Sequence, residues 1–281
     1  MIVQDQGAQL VVIRQTDHAR LAGFFARQWG NDLFTKPEPF ESFCVAAEEH
    51  DNGWLEWELL PSVDPATFLP YTFMSIPTEE HIALYQRGLE RLVKADLYAG
   101  LLGCMHCEQL YDRTHATIPG YSAKYVKADE TKPVNVFMEQ LRLQKLRLKV
   151  DLRAQPDMKP FVDDKLLTAN AQRLEALDRL SLYFCMAPRE AAIIEAVPVD
   201  NQGNEADLIM TPSEAGDACT LSPYPFRRDP LEFGILARYI PKRRYSDDEE
   251  LQRTLTLAPY SMNKFTLRSV DTQANSFSAF A

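Results

Sequence analysis

No stretch of this chain is long and apolar enough to cross a membrane. It does not open with a basic region leading into an apolar core: Met1-Ile2-Val3-Gln4-Asp5 brings in an acid at once, so no secretory signal is expected. Cysteine is scarce and odd in number, five in 281 residues. That suits reduced thiols in a cytosol better than a disulfide framework. Positive charge is in deficit, with 30 Lys and Arg against 40 Asp and Glu and a net charge of -10. This argues against a broad nucleic-acid surface but allows a small anion held by a few arginines. The chain also lacks a phosphate loop, a dinucleotide fingerprint, a serine nucleophile elbow and any internal repeat. These absences lead to an expectation of a cytoplasmic protein with no nucleic-acid polymer and no membrane among its partners.

What is present is a sequence able to build a core, 46% hydrophobic, at a length that fits one large domain or a domain with an appendage. Gln9 to Ile13 reads as a strand. Thr16 is a plausible N-cap for a helix running to Trp29, with Gly30 as its stop. A second helix is expected from about Phe40 into His50-Asp51, then a proline-rich loop over 52–77. Helical periodicity returns at 78–94, 97–111, 133–151 and 161–186, with loop at 112–132. After Pro188 the texture turns to strands: a hairpin around Asn201-Gln202-Gly203-Asn204, then Leu231 to Ile240, Leu251 to Leu257 and Phe265 to Arg268. Asp247 to Glu250 opens a turn or a short helix. The expected architecture is a mainly α helical domain over 1–187 with a small strand-rich C-terminal segment, 188–281, packed on it.

Helix faces single out the polar residues. His18 shares a face with Leu21, Ala22, Phe25 and Trp29; His50 with Phe43, Ala46 and Ala47; His106 with Leu102 and Leu110. Asp178 lies on a stripe with Leu167, Asn170, Leu174, Leu177, Ser181, Leu182 and Cys185. A carboxylate among leucines is costly to bury unless it is paired or bound to a metal. Imidazoles and carboxylates converging between helices are a usual way for such a scaffold to hold an ion. The adjacent pair His50-Asp51 sits before Gly53, where the backbone can turn so that both neighbours reach one ion. His81 and His115 lie on no clear apolar stripe and read as surface or loop histidines. The spacing Cys104-Met105-His106-Cys107 fits helical packing better than a metal motif, since no second cysteine pair is near.

The order His18…His50-Asp51…Asp178 resembles the H…HD…D order of the HD superfamily of metal-dependent phosphohydrolases, an all-helical fold. The segments His18-Ala19-Arg20-Leu21-Ala22-Gly23, His50-Asp51-Asn52-Gly53-Trp54, Tyr98-Ala99-Gly100-Leu101-Leu102 with Met105-His106, and Asp178-Arg179-Leu180-Ser181-Leu182 resemble a mostly bacterial family, domain of unknown function 3891. The resemblance implies an HD-domain-like helical bundle with His18, His50, Asp51 and Asp178 as ligands of one divalent ion, and His106 as a candidate toward a second. Mixed nitrogen and oxygen donors suit manganese, iron, magnesium, cobalt or nickel. Such an ion lowers the pKa of a bound water and polarises a phosphoryl oxygen. Asp51 would both ligate and orient the water. Arg20, Arg179 and Lys124, placed by their proximity to the motifs, would neutralise phosphate, and Trp54 and Trp57 would wall the pocket. The expected function is a metal-dependent phosphohydrolase for a small phosphoester or nucleotide. Two readings stand beside it: an iron oxygenase on the same scaffold, and a non-catalytic binding module whose strand tail forms a homodimer.

Overall fold

The structure is a computed structural model that describes residues 1–111, 131–186 and 190–270. Among the described residues, seven strands form a single sheet in the order β1-β2-β6-β7-β5-β4-β3. Their ranges are β1 Ile2–Asp5, β2 Gln9–Ile13, β3 Ala192–Pro198, β4 Glu205–Pro212, β5 Ala218–Ser222, β6 Leu231–Pro241 and β7 Tyr260–Ser269. All neighbours are antiparallel except β5 and β7, which run parallel. The helices are α1 Gln15–Gln28, α2 Phe40–Glu49, α3 Leu55–Leu59, α4 Thr78–Ala95, α5 Leu97–Tyr111, α6 Thr131–Arg153, α7 Asp164–Cys185 and α8 Asp248–Leu257. None of the described helices is long and apolar enough to span a membrane.

The expectation of a mainly α, HD-like bundle with a small strand segment is overturned by this sheet. The amino-terminal strands belong to it: Val12 of β2 pairs with Arg238 of β6, more than 200 residues away. Hydrophobic periodicity reports which face of a segment is buried, not which distant strand it joins. Two strands carry weak local signals. β1 is only four residues long, and β5 is Ala-Cys-Thr-Leu-Ser. Leu251 to Leu257, expected as a strand, is instead α8. Asp247 caps it by accepting a hydrogen bond from Glu250 N at 2.8 Å, and Leu251 and Leu255 bury one turn apart. The change of texture at Pro188 falls outside the described residues.

Helices and sheet share one continuous core. Phe25 of α1 and Phe184 of α7 meet Phe233 of β6 at ring-centroid distances of 5.0 and 4.9 Å. Such edge-to-face contacts add to the area each ring buries. This aromatic seam fixes α1 and α7 to the sheet. It thereby fixes the two helices that carry His18 and Asp178.

Candidate metal centre

The start of α1 has no capping side chain of its own. Glu58, from the short α3, takes that role. Its carboxylate accepts the Gln15 backbone N–H, the Thr16 N–H at 3.3 Å and the Thr16 hydroxyl at 3.0 Å. Thr16, expected as the N-cap, therefore lies in the first turn. An acidic group here meets orphan N–H groups and the positive end of the helix dipole. Burial raises the Glu58 carboxyl pKa, against the pull of the nearby N-terminal amine and these hydrogen bonds. The anchored turn points His18 inward.

His50 is the C-cap of α2, and Asp51 begins a turn that crosses α4. Gly53 makes the crossing possible, because a Cβ there would lie 2.0 Å from the Leu84 carbonyl oxygen. The contact brings Tyr85 under Asp51, where its hydroxyl donates to Asp51 Oδ1 at 2.9 Å. Gln15 Nε2 donates to Asp51 Oδ2 at 3.1 Å.

Donor atoms from three helices and this turn then converge. His18 Nε2 lies 3.2 Å from His50 Nε2, 3.2 Å from Asp51 Oδ2 and 3.4 Å from Asp178 Oδ1. His50 Nε2 lies 3.5 Å from Asp178 Oδ1 and 3.7 Å from Asp51 Oδ2. The remaining ring nitrogens settle the tautomers. His50 Nδ1 faces the Ala47 carbonyl at 2.8 Å and must carry the hydrogen. His18 Nδ1 faces Ser181 Oγ at 2.7 Å, and that hydroxyl already donates to the Asp178 carbonyl at 2.8 Å, so it accepts from His18. In the neutral rings both Nε2 atoms are therefore lone pairs. They face each other and two carboxylate oxygens. Four acceptors in one buried spot repel unless a proton or a cation lies among them. For bonds of about 2.1 Å, donors around one ion sit about 3.0 to 3.4 Å apart in octahedral to tetrahedral arrangements. The shorter spacings match that scale, and His18, His50 and Asp51 form one group of ligand atoms, all within 4.8 Å of one another, that could hold a divalent ion.

His106 extends the cluster. With His50 and Asp178 it forms a second group whose ligand atoms lie within 4.8 Å of one another. Its Nδ1 is buried without a hydrogen-bond partner, which is costly for an imidazole that binds nothing. The electrostatics agree with a cation site. Burial pushes His50 down, but Asp51 and Asp178 outweigh it and raise its pKa to about 9. Burial works against the carboxylates, yet the histidines hold both Asp51 and Asp178 below the usual range. His106 drops to about 4 through burial and the neighbouring His50.

The other expected residues are scattered. Arg20 is two residues from His18, about 200° round the helix, so it faces away from the cluster. It pairs with Asp17 at 3.0 Å and lines a separate cleft of about 580 Å³ with Arg91, Glu48 and Glu49. Arg179 follows Asp178 and pairs with Glu175 at 3.9 Å. Trp54 and Trp57 are 1% and 8% exposed and pack edge to face, so neither offers a face to solvent. Lys124 and His115 lie outside the described residues. His81, expected at the surface or in a loop, is instead buried on α4 between Trp54, Tyr85 and Tyr111. Its Nδ1 meets the Tyr111 hydroxyl at 2.5 Å. Cys104 and Cys107 are buried, and burial raises both thiol pKa values, Cys104 to about 12. The supporting residues Tyr85, Gln15 and Glu58 carry no motif; only Ser181, one turn from Asp178 on the same stripe, could have been paired with the site from sequence.

A family model described as a protein of unknown function, DUF3891, matches residues 1–242. The chain belongs to that family. No curated protein and no solved structure matches it.

Proposed function

We propose that this member of the family is a divalent-metal-dependent phosphohydrolase acting on a small phosphoester or nucleotide. The observation that carries the reading is the pair of imidazole lone pairs, 3.2 Å apart, facing Asp51 and Asp178. The order of these four residues, similar to that of HD phosphohydrolases, points the chemistry toward phosphorus. His18, His50, Asp51 and Asp178 hold the ion, with His106 completing the set. A manganese, iron, magnesium, cobalt or nickel ion there supplies a lowered water pKa and charge for a phosphoryl oxygen.

The chain's own groups divide the remaining work. Asp51 has both oxygens engaged, by Tyr85 on one and Gln15 on the other, so it stays a fixed anion. Asp178 has the most exposed ligand side chain, at 9% against 2% or less for His18, His50 and Asp51. It therefore accepts the hydrogen bond of the attacking water. Arg179, next along α7, contributes the cation that neutralises phosphate. The burial of the whole set supports a small substrate over a polymer.

The test is metal analysis of the gently purified chain beside Asp51→Ala, followed by phosphate release from a panel of phosphomonoesters and nucleotides. We expect about one ion per chain and phosphate release in the parent, with both lost in the variant. Absence of metal after soaking in manganese or iron would leave a non-catalytic binding module. Bound iron that consumes oxygen without releasing phosphate would replace this reading with the oxygenase one.

A further inference from the structure

Helix α6 presents Val136, Leu143, Leu146 and Val150 to solvent, exposed by 53, 48, 56 and 66%. Its opposite face is spent on the core through Val134, Phe137, Leu141, Leu148 and Leu152, all buried. At 100° per residue the four exposed aliphatics fall within about 80° of one another. Exposed apolar residues scattered singly are ordinary. A stripe of them along one helix marks a contact surface. A shallow cleft of about 490 Å³, lined by Val93, Gln140 and Leu143 among others, runs beside the stripe.

The charges on this face say what covers it. A two-fold axis through Leu143, perpendicular to α6, sets each residue n positions before Leu143 against the residue n positions after it in a second, antiparallel copy. Val136 then meets Val150, Gln140 meets Leu146, and Glu139 meets Arg147. Each unlike pair occurs twice by symmetry, and no two like charges are opposed. Among the described residues Glu139 pairs loosely with Arg142, at 3.8 Å between side chains 60 and 71% exposed. Such a pair is easily exchanged for a better one. An anionic lipid surface would suit Arg142 and Arg147, but Glu139 and Asp151 on the same face oppose it.

We propose that the exposed face of α6 is an antiparallel, two-fold homodimer interface, with Leu143 on the axis and Glu139 paired to Arg147 of the second copy. Isologous contacts of this kind are the commonest in soluble oligomers. The interface does not depend on the metal reading.

Sedimentation velocity on the full chain tests it. We expect twice the chain mass at micromolar concentration. Leu143→Glu with Leu146→Glu halves that mass and keeps the native helical circular dichroism, since both side chains are exposed. Glu139→Arg or Arg147→Glu alone weakens the dimer by about tenfold, and the two together restore it. A monomeric parent overturns the proposal, including one that instead co-sediments with anionic vesicles. A double-glutamate variant that stays dimeric, or a charge swap that fails to restore assembly, overturns it as well.

Discussion

Helix α7 carries two buried polar clusters little more than a turn apart, and they are built on opposite principles. In the first, Arg173 is fully buried, yet every partner it meets is an acceptor. Asn170 Oδ1 lies at 3.0 Å, Asn201 Oδ1 at 2.8 Å and the Asp200 carbonyl at 2.8 Å. Asn170 in turn donates to the Glu38 carbonyl at 2.8 Å and the Tyr98 hydroxyl at 2.9 Å. Donors answer acceptors except at Arg173 Nε, which is buried without a partner, and the network stitches α7 to the β3–β4 hairpin. In the second cluster, around Asp178, acceptors face acceptors and the His106 Nδ1 has no partner. Burial alone does not separate structure from function. The sign of what each group offers its neighbour does.

The largest effect expected from breaking this contrast is on stability. Arg173→Ala leaves one buried and two half-buried oxygens without their donor and opens a cavity, so it should cost about 3–5 kcal/mol in a denaturant or thermal melt. Metal content per folded chain should not change. Loss of metal alongside stability would mean that the two clusters are one unit.

Next comes the stabilisation by metal itself. Manganese or iron at a hundred to a thousand times its dissociation constant should raise parent stability by about 3–4 kcal/mol. His50→Ala should abolish that rise, whereas Arg173→Ala, though weaker overall, should keep it. An equal rise in His50→Ala would place the ion elsewhere.

The pH dependence of the metal-free chain is smaller and follows from His50. Its native pKa of about 9 stands above the ordinary 6.5. Between those values the native state holds a proton that the unfolded chain has released. That contribution is full below about 6.5 and fades as pH rises through about 9. His81 and His106, both lowered to about 4, act at the other end. The unfolded chain binds protons that they refuse, so stability also falls as pH drops from about 6.5 toward about 4. Metal replaces the His50 proton, so the alkaline decline should vanish in the loaded protein. A decline of equal size with and without metal would contradict that exchange.

How much of this could be read in the sequence depends on whether the cause was local. His18, His106 and Asp178 each lie on a helix, and His50 caps one; the 3.6-residue stripe of each helix is visible in one dimension, so their shared burial was legible. The sheet was not, because β2 finds β6 across more than 200 residues and no local pattern encodes that choice. His81 misled because its surroundings, Trp54 and Tyr111, come from two other elements. Arg20 is a different case: two residues from a ligand on a helix is the far side, and helix geometry alone was enough to exclude it.

The smallest expected effects test whether the supporting groups of the metal cluster act on the ion rather than on the fold. Ser181→Ala removes the acceptor that keeps the hydrogen on His18 Nδ1. Metal affinity should fall by about tenfold, near 1.4 kcal/mol, because partners that fix a ligand's tautomer typically matter by ten- to a hundredfold. Tyr85→Phe frees one oxygen of Asp51 and should weaken binding by a smaller factor in the same direction. The matched control is Tyr98→Phe, which takes the acceptor from Asn170 in the Arg173 network. It should cost about 1 kcal/mol of stability and leave metal affinity alone. If Ser181→Ala instead behaved like Tyr98→Phe, the hydroxyl would be one more member of a satisfied core. The facing lone pairs of His18 and His50 would then lose the tautomer on which the cation argument stands.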